Sequence, residues 1–239
     1  LARDEARHAG VLSRALVAEG IEVDLPHLGG KRAATWFPIS WVIYSVYLSE
    51  KIGYWRYILM DRHLKANPDQ AFAPLFDFFE PWCQDENRHG DCFTVMMRCW
   101  PGITKGFRGK LLSRFFLWSV FLTHTLTVCE RGEFYELLGI DPKEFDEEVI
   151  KRTNHTSKNA FPWVFNLEDN KFWDLRNKII ESFRAFVGAK GLTKPVKFVK
   201  FATLIFKQFA LPMEKTNALR YDKNVNFTGQ DILNFWTDK

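Results

Sequence analysis

The sequence is poor in cysteine and lacks the glycine-rich motifs of nucleotide-binding proteins. Its four cysteines are spread along 239 residues without paired spacing. This excludes a disulfide scaffold and an iron–sulfur cluster, and it favours a reducing compartment. The chain contains neither a Gly-x-Gly-x-x-Gly string nor a P-loop. Any electrons that it uses must therefore come from another protein.

The sequence also lacks an excess of one charge and any long apolar run. The 33 basic and 29 acidic residues interleave, so the sequence does not indicate nucleic-acid binding. The longest uncharged stretches, 33–49 and 115–129, contain polar residues and are shorter than the roughly 18 residues that a spanning helix needs. A membrane-spanning helix is not expected, and attachment to a membrane surface remains open.

Apolar and aromatic side chains are abundant and follow a helical period. Hydrophobic residues make up 46% of the chain, with 23 Phe and 9 Trp, which is enough for one well-buried core. Turn formers at 21–37, 67–69 and 101–102 separate the apolar stripes, and no alternating run requires a β-sheet. The predicted fold class is all-α, with helices at 1–20, 38–66, 69–100 (kinked at Pro81), 108–138, 142–154, 169–188 and 195–210.

A near-repeat is the most informative feature: Asp-Glu-Ala-Arg-His at 4–8 and Asp-Glu-Asn-Arg-His at 85–89. Each string contains Glu-x-x-His, which places a carboxylate and an imidazole one turn apart on one helix face. A single match is unremarkable in a chain of this length, whereas two that share Asp-Glu-x-Arg-His are specific. Both pairs interrupt apolar stripes, where an ionised carboxylate needs a partner or a metal. The stripes consist of Leu1, Leu12 and Leu16, and of Leu75, Phe79, Trp82, Phe93, Met96 and Trp100.

Glu50 is a further candidate ligand, on the second predicted helix. It is the one carboxylate in an apolar stripe that runs from Ile43 to Tyr57. It precedes the turn at 67–69 by as many residues as Glu86 follows it. In an antiparallel helical hairpin the two carboxylates therefore lie at one height and are expected to converge. The alternative, a chance pair of buried ion pairs, leaves this matched height unexplained.

The candidate ligands fit the di-iron carboxylate pattern, in which two helices of a four-helix bundle supply one Glu each and two supply Glu-x-x-His. Carboxylates and imidazoles suit iron or manganese, whereas zinc usually takes a smaller tetrahedral set. The pattern requires one more Glu, about 35 residues before Glu5 and so ahead of Leu1. We expect a ferritin-like di-iron four-helix bundle whose first helix is absent from this chain, with the incomplete bundle at 1–102 and a C-terminal helical extension at 103–239.

Four polar residues outside the ligand set also receive an interpretation: two aspartates, each with two alternatives, and two histidines, each with one. Asp4 and Asp85 either accept the free ring N–H of a ligating histidine or are solvated helix charges. His124, in an apolar helix, is interpreted as a core histidine bonded to the backbone. His63 is interpreted as a cation at a helix C-terminus.

The segment 195–211 is predicted to be an amphipathic helix. It places Lys197, Lys200 and Lys207 on one side and phenylalanines on the other. Such a helix can lie in a membrane interface. An ordinary helix docked on the protein is the alternative.

Three longer strings extend the ligand motifs and indicate a family. They are Asp-Glu-Ala-Arg-His-Ala-Gly at 4–10, Tyr-Leu-Ser-Glu-Lys-Ile-Gly-Tyr-Trp-Arg-Tyr at 47–57 and Trp-Cys-Gln-Asp-Glu-Asn-Arg-His-Gly-Asp at 82–91. On these strings the chain resembles the aerobic di-iron magnesium-protoporphyrin IX monomethyl ester (oxidative) cyclases of chlorophyll and bacteriochlorophyll synthesis. Weaker similarity continues through 113–116 and 134–135. The resemblance covers most of the chain.

The resemblance implies an oxidoreductase of the di-iron monooxygenase type, which forms the isocyclic ring of 3,8-divinyl protochlorophyllide with O2. It implies two iron ions as the cofactor and NADPH as the ultimate reductant, through a separate electron-donor protein. It implies peripheral attachment to the cytoplasmic side of a photosynthetic membrane, and it leaves an accessory subunit open. By resemblance the iron ligands are Glu5, His8, Glu50, Glu86 and His89.

Two alternatives come from other classes of protein. The first is a ferritin-like protein that oxidises and stores iron with the same ligands. The second is a structural helical protein of the membrane surface without metal. The roughly 100 residues after the third helix, and their Phe and Trp content, favour the enzyme, because a large flat substrate needs an aromatic lining.

Overall fold

The computed structural model describes residues 1–21 and 36–218. Nine α-helices account for most of these ranges, which confirms the predicted all-α class. The predicted connector at 21–37 lies largely outside the described residues. The helix bounds are Ala2–Ala18 (α1), Ile39–Ala66 (α2), Phe79–Cys99 (α3), Pro101–Thr104 (α4), Gly106–Glu130 (α5), Gly132–Leu137 (α6), Pro142–Ser157 (α7), Asn170–Val187 (α8) and Thr193–Phe209 (α9).

The centre of the described structure is the antiparallel pair of α2 and α3. Contacts of Lys65 with Glu80 near the turn, and of Glu50 with His89 farther along, show the antiparallel direction. The buried side of α2 includes Tyr47, which is fully inaccessible to solvent. This pairing fixes the relative height of every side chain that the two helices direct at each other.

The third helix begins at Phe79 rather than at Asp69, so its predicted start is wrong. Two 3₁₀ helices, Pro68–Gln70 and Pro74–Phe78, occupy the start of the predicted helix. Each begins with a proline, which lacks the backbone N–H that a continuous α-helix would use. Pro81, predicted to kink the helix, is the third residue of α3. The first N–H groups of a helix have no partner within it, so the missing N–H of Pro81 costs α3 no hydrogen bond.

α1 lies beside the 3₁₀ helix Pro74–Phe78, and its His8 contacts α3. His8 is the buried residue of α1 and stacks on Trp82, with 4.5 Å between the ring centroids. Leu12 and Leu16 remain 39% and 36% exposed. Of the α1 stripe that was predicted to face the core, only His8 is buried. The first residue of that stripe, Leu1, is also exposed, as are Met96 and Trp100 at the end of the α3 stripe.

α5 connects the hairpin to the C-terminal part through a buried ionic cluster. The carboxylate of Asp146 on α7 accepts hydrogen bonds from Arg176 of α8 and from His124 of α5, each at 2.7 Å. Thr125 donates to the same carboxylate. The prediction that His124 bonds to the backbone is therefore wrong. α7 brings a buried carboxylate opposite the imidazole, and a buried charge has to be paired.

Two short strands correct the prediction that no sheet is needed. β1 (Trp163–Phe165) pairs antiparallel with β2 (Met213–Lys215), with Trp163 opposite Lys215. Strands of this length are too short for an alternating pattern to appear in the sequence. The helix predicted at 108–138 is likewise two helices, because α5 ends at Glu130 and α6 begins at Gly132. His63 lies in the last turn of α2, as predicted.

α5 is long and apolar enough to cross a membrane by length and composition, which the uncharged stretches had not led us to expect. In the structure, 44% of its apolar window is buried against the rest of the chain. The core helix of a soluble protein meets the same criterion. The finding is therefore weak support for a membrane span.

Candidate metal centre

Five titratable side chains from three helices meet beside the α2–α3 pair. α1 supplies Glu5 and His8, α2 supplies Glu50, and α3 supplies Glu86 and His89. Ligand atoms of Glu5, His8 and Glu86 all lie within 4.8 Å of one another, as do those of Glu5, Glu50 and His89. Glu5 belongs to both groups, so the geometry offers two adjacent cation positions that share one carboxylate.

Both histidines turn their Nδ1 atoms toward the carboxylates. His89 Nδ1 lies 3.2 Å from Glu50 Oε2 and 3.3 Å from Glu5 Oε1. His8 Nδ1 lies 3.6 Å from Glu86 Oε1 and 3.8 Å from Glu5 Oε2. Each ring can therefore offer the same atom to a cation while its Nε2 atom stays available for a hydrogen bond.

The Nε2 atoms are paired crosswise between the two Asp-Glu-x-Arg-His strings. His8 Nε2 lies 3.2 Å from Asp85 of α3, and His89 Nε2 lies 3.0 Å from Asp4 of α1. A carboxylate on Nε2–H fixes the ring orientation and leaves Nδ1 as the lone-pair donor. Of the two alternatives that the sequence left open for these aspartates, the contacts fit the one in which each accepts from a histidine rather than the one in which it is a solvated helix charge. The exchange between helices was not predicted.

Asp85 is held further by arginines from both strings. Its carboxylate accepts from Arg7 of α1 and from Arg88 of α3. Burial alone would raise the pKa of Asp85, but hydrogen bonds from His8, Arg88 and Arg7 hold it below the usual value. Asp85 therefore stays ionised beside the imidazole that it orients.

Glu50 and Glu86 converge, which confirms the predicted match in height. Burial, reinforced by the neighbouring Glu86 carboxyl group, raises the pKa of Glu50 to about 7. Two carboxylates in such a position repel each other unless one binds a proton or a cation lies between them. The pocket therefore needs a proton or a bound cation between these two carboxyl groups.

The residues present fit a metal of the iron or manganese type. The atom His8 Nδ1 is buried and has no hydrogen-bond partner among the described residues, although it faces two carboxylates. An unpaired imidazole nitrogen directed at anionic oxygens is the arrangement that a metal ligand requires. The mixed nitrogen and oxygen donors suit iron better than a closed tetrahedral zinc site.

Trp82 and Gly53 support Glu86 and were not predicted as site residues. The indole Nε1–H of Trp82 donates to Glu86 Oε1 at 2.8 Å, while its ring stacks on His8. A Cβ atom at Gly53 would lie 3.1 Å from Glu86 Oε2. Trp82 lies one turn before Glu86 in the sequence, and this spacing is the signal that could have identified it.

A buried lysine fixes the two ligand-bearing turns of α2 and α3 together. Lys51, only 2% exposed, donates to the Asn87 carbonyl at 3.1 Å, to Asn87 Oδ1 at 2.7 Å and to Asp91 Oδ1 at 2.6 Å. Its stem crosses Gly90, where a Cβ atom would lie 2.6 Å from Lys51 Cε. We call Lys51, Asn87, Gly90 and Asp91 the Lys51 cluster. It adjoins Glu50 and His89 in sequence.

The structure brings together all five residues predicted as ligands and places both predicted aspartates on the histidines. Their assignment as iron ligands stays a prediction, since proximity alone does not identify a bound ion. Glu5 is the most open of the five, with 49% of its side chain exposed. Among the described residues, the centre is therefore open on the α1 side and closed by α2 and α3 on the other.

Comparisons with known proteins point to one family. A protein-family model described as Rubrerythrin matches residues 1–97. The magnesium-protoporphyrin IX monomethyl ester oxidative cyclases of Prochlorococcus marinus strains MIT 9211 and MIT 9313 are 73% and 74% identical to the chain over 221 residues. Each match covers 92% of the chain and 63% of the relative. The oxidative cyclase 2 of Thermosynechococcus vestitus is 51% identical over 211 residues, which cover 88% of the chain and 59% of that relative.

The chain thus spans somewhat less than two thirds of the length of the Prochlorococcus relatives. No solved structure matches it significantly.

Proposed function

Because the chain belongs to the family of the magnesium-protoporphyrin IX monomethyl ester oxidative cyclases, we propose that it supplies the di-iron centre for the oxygen-dependent cyclisation of that ester. The proposed product is 3,8-divinyl protochlorophyllide. The steps would be hydroxylation of the methyl-esterified propionate chain, oxidation of the alcohol to a ketone, and closure of the ring on the adjacent methine carbon, with loss of one hydrogen from each of the two carbons that are joined. O2, with electrons from the donor protein, would be the oxidant in each step.

The observation that carries the proposal is the pair of ligand groups that share Glu5. We propose that His8 and Glu86 hold one iron, that Glu50 and His89 hold the other, and that Glu5 contacts both. When bound, the irons supply the activation of O2 that oxidation of an unactivated C–H bond requires. Asp4 and Asp85 keep each imidazole in the tautomer whose Nδ1 lone pair faces the centre.

The electron supply and the other components are also proposals. We propose NADPH as the ultimate reductant, O2 as the co-substrate and a separate electron-donor protein. The absence of a dinucleotide-binding motif from the sequence supports an external donor. An accessory subunit is left open.

Ferritin-like oxidation and storage of iron is the second candidate function, because it uses the same ligands. The C-terminal part of the chain favours the cyclase. α5 packs along the hairpin, and α7, α8 and α9 attach to it through a buried ionic cluster and aromatic contacts. A storage site needs only the bundle, whereas a porphyrin needs a large surface with aromatic residues.

A chimaera tests the proposed function. In it, the 221-residue stretch of this chain that matches the cyclase from Prochlorococcus marinus strain MIT 9313 would replace the corresponding stretch of that protein. We expect about two irons per molecule. With O2 and a reductant, we expect the absorption spectrum of the ester to change to that of protochlorophyllide.

The unaltered relative is the positive control. A chimaera without iron would contradict both metal functions. A chimaera that oxidises ferrous iron with O2 but leaves the ester unchanged would support the storage function instead.

We propose peripheral attachment to the cytoplasmic side of a photosynthetic membrane through α9. Phe201 of this helix is buried against Phe186 of α8, so it does not face a membrane, whereas Phe198 contacts the same ring and stays about half exposed. The most exposed apolar residues of α9 are Val196, Val199 and Phe206. Lys197, Lys200 and Lys207 lie along one side of them, and α9 contains no acidic residue. An apolar stripe beside lysines suits an anionic lipid surface.

Vesicle binding tests this attachment. On vesicles of phosphatidylcholine with phosphatidylglycerol, replacing Lys197 and Lys200 by glutamine should weaken binding roughly 30-fold, since each lysine contributes about 1 kcal/mol near such a surface. Lys143→Gln, an exposed lysine on α7, is the matched control and should leave binding unchanged. Co-sedimentation is the measurement. If the wild-type chain does not bind the vesicles, the proposal is wrong.

A further inference from the structure

An open cleft adjoins the metal centre on the side of α1 and α3, and three arginines contribute to its lining. The cleft has a volume of about 620 Å³. Arg3 and Arg7 of α1 and Arg88 of α3 line it. The neighbouring acidic residues are Asp4 and Asp85, the two aspartates that orient the histidines. We call this feature the arginine cleft.

The charges of the arginine cleft are not balanced. Without counting the α-ammonium group of Leu1, which lies 3.5 Å from Asp4, three guanidinium groups face two carboxylates, so one positive charge is in excess while His89 is neutral. Arg3 forms no ion pair with any residue in the described part of the chain. Arg88 uses one terminal nitrogen on Asp85, and Arg7 uses one on both Asp85 and Asp4, while their side chains stay 64% and 58% exposed. The remaining donors can receive one anion.

The arginine cleft lies next to the proposed irons. His89 forms part of its wall. The Nε2 edge of that ring faces Asp4 in the cleft, while the Nδ1 edge faces Glu5 and Glu50 in the centre. One imidazole ring therefore separates a ligand in the cleft from the metal ligands.

We propose that the arginine cleft binds the free propionate carboxylate of the porphyrin substrate, an inference that rests on the proposed function. Guanidinium groups bind carboxylates with charge-assisted, often bidentate, hydrogen bonds. The substrate carries one free and one methyl-esterified propionate, on neighbouring pyrrole rings that flank the methine carbon to be joined. Anchoring the free carboxylate beside His89 turns this edge of the porphyrin toward the centre, with the esterified chain next to it.

This anchor also explains how the protein distinguishes the two side chains. The esterified propionate has no charge and cannot replace the free carboxylate on the arginines. A flipped porphyrin would bring the ester to the cleft and leave the excess positive charge unpaired. The arginine cleft thus sets which propionate is oxidised.

The test compares two porphyrins that differ only at the anchored group. The iron-loaded chimaera is titrated with the magnesium-protoporphyrin monomethyl ester and with the dimethyl ester, in which the carboxylate is blocked. Quenching of porphyrin fluorescence gives the two dissociation constants. We expect the monomethyl ester to bind at least about tenfold more tightly, as a hydrogen bond to a charged group predicts.

Variants assign this preference to the arginine cleft. Arg3→Gln should reduce the preference for the monomethyl ester several-fold and leave the affinity for the dimethyl ester unchanged. The double variant Arg3→Gln with Arg7→Gln should remove the preference. Arg14→Gln, an exposed arginine on α1 outside the cleft, is the matched control. A structural defect would weaken both esters alike, so the ratio separates the two effects.

The outcomes distinguish this inference from the proposed function. If both esters bind equally well, or if both Arg3 variants keep the full preference, the arginine cleft is not the carboxylate anchor, while the proposed function stands. If neither ester binds, the proposed function fails and the anchor with it.

Discussion

Replacing Glu50 by alanine is expected to lower the iron content from two ions to one and to reduce cyclase activity by more than about 100-fold. Residues that merely orient metal ligands change affinity or activity about 10- to 100-fold, and a direct ligand should exceed this range. Glu50 occurs in only one of the two ligand groups, so the group of Glu5, His8 and Glu86 keeps its donors. The measurements are iron per chimaera molecule and the rate of protochlorophyllide formation.

Two further variants make the Glu50 result specific. Glu50→Gln keeps the volume of the side chain and should lose iron in the same way, which rules out a cavity effect. Glu80→Ala removes an exposed carboxylate of α3 that pairs with Lys65, and it should retain two irons. Full cyclase activity of Glu50→Ala would show that Glu50 is not a ligand.

Replacing Gly90 by alanine is expected to lower the free energy of unfolding by about 3 kcal/mol. The new Cβ atom would contact three carbons of the Lys51 stem, at 2.6 to 3.0 Å, so the ammonium group has to leave its three hydrogen bonds. Breaking a buried pair costs about 3 to 5 kcal/mol. The higher helix propensity of alanine returns at most about 1 kcal/mol. Urea unfolding of the metal-free chain measures the difference.

A double-mutant cycle shows whether the loss comes from the Lys51 cluster. Lys51→Met removes the charge and the bonds that resist displacement, so Gly90→Ala should cost at least about 1 kcal/mol less in that background. Gly10→Ala, in α1, is the matched control, because a Cβ atom there has nothing within 4 Å. Additive effects of Lys51→Met and Gly90→Ala, or a neutral Gly90→Ala, would contradict the proposed contact.

The pairing of α2 with α3 and the types of ligand could be predicted from the sequence because both follow from regular spacings of residues along a helix. A helix has a fixed rise per residue, so equal distances of Glu50 and Glu86 from the turn at 67–69 determine that they meet. Glu-x-x-His spacing places each carboxylate and imidazole on one face. The start of α3 at Phe79 could not be predicted, because the apolar period begins well before it. Pro68 and Pro74 each begin a 3₁₀ helix in that stretch instead.

The helical class, the convergence of Glu50 with Glu86, and the family could all be predicted from the sequence. The contacts of Asp4 with His89 and of Asp85 with His8, the bonds of Lys51 across the two ligand-bearing turns, and the pairing of β1 with β2 became visible only in the folded structure. Each of these contacts joins residues far apart in the chain. Such pairings depend on how separate elements pack, and no local period or spacing in the sequence encodes that packing.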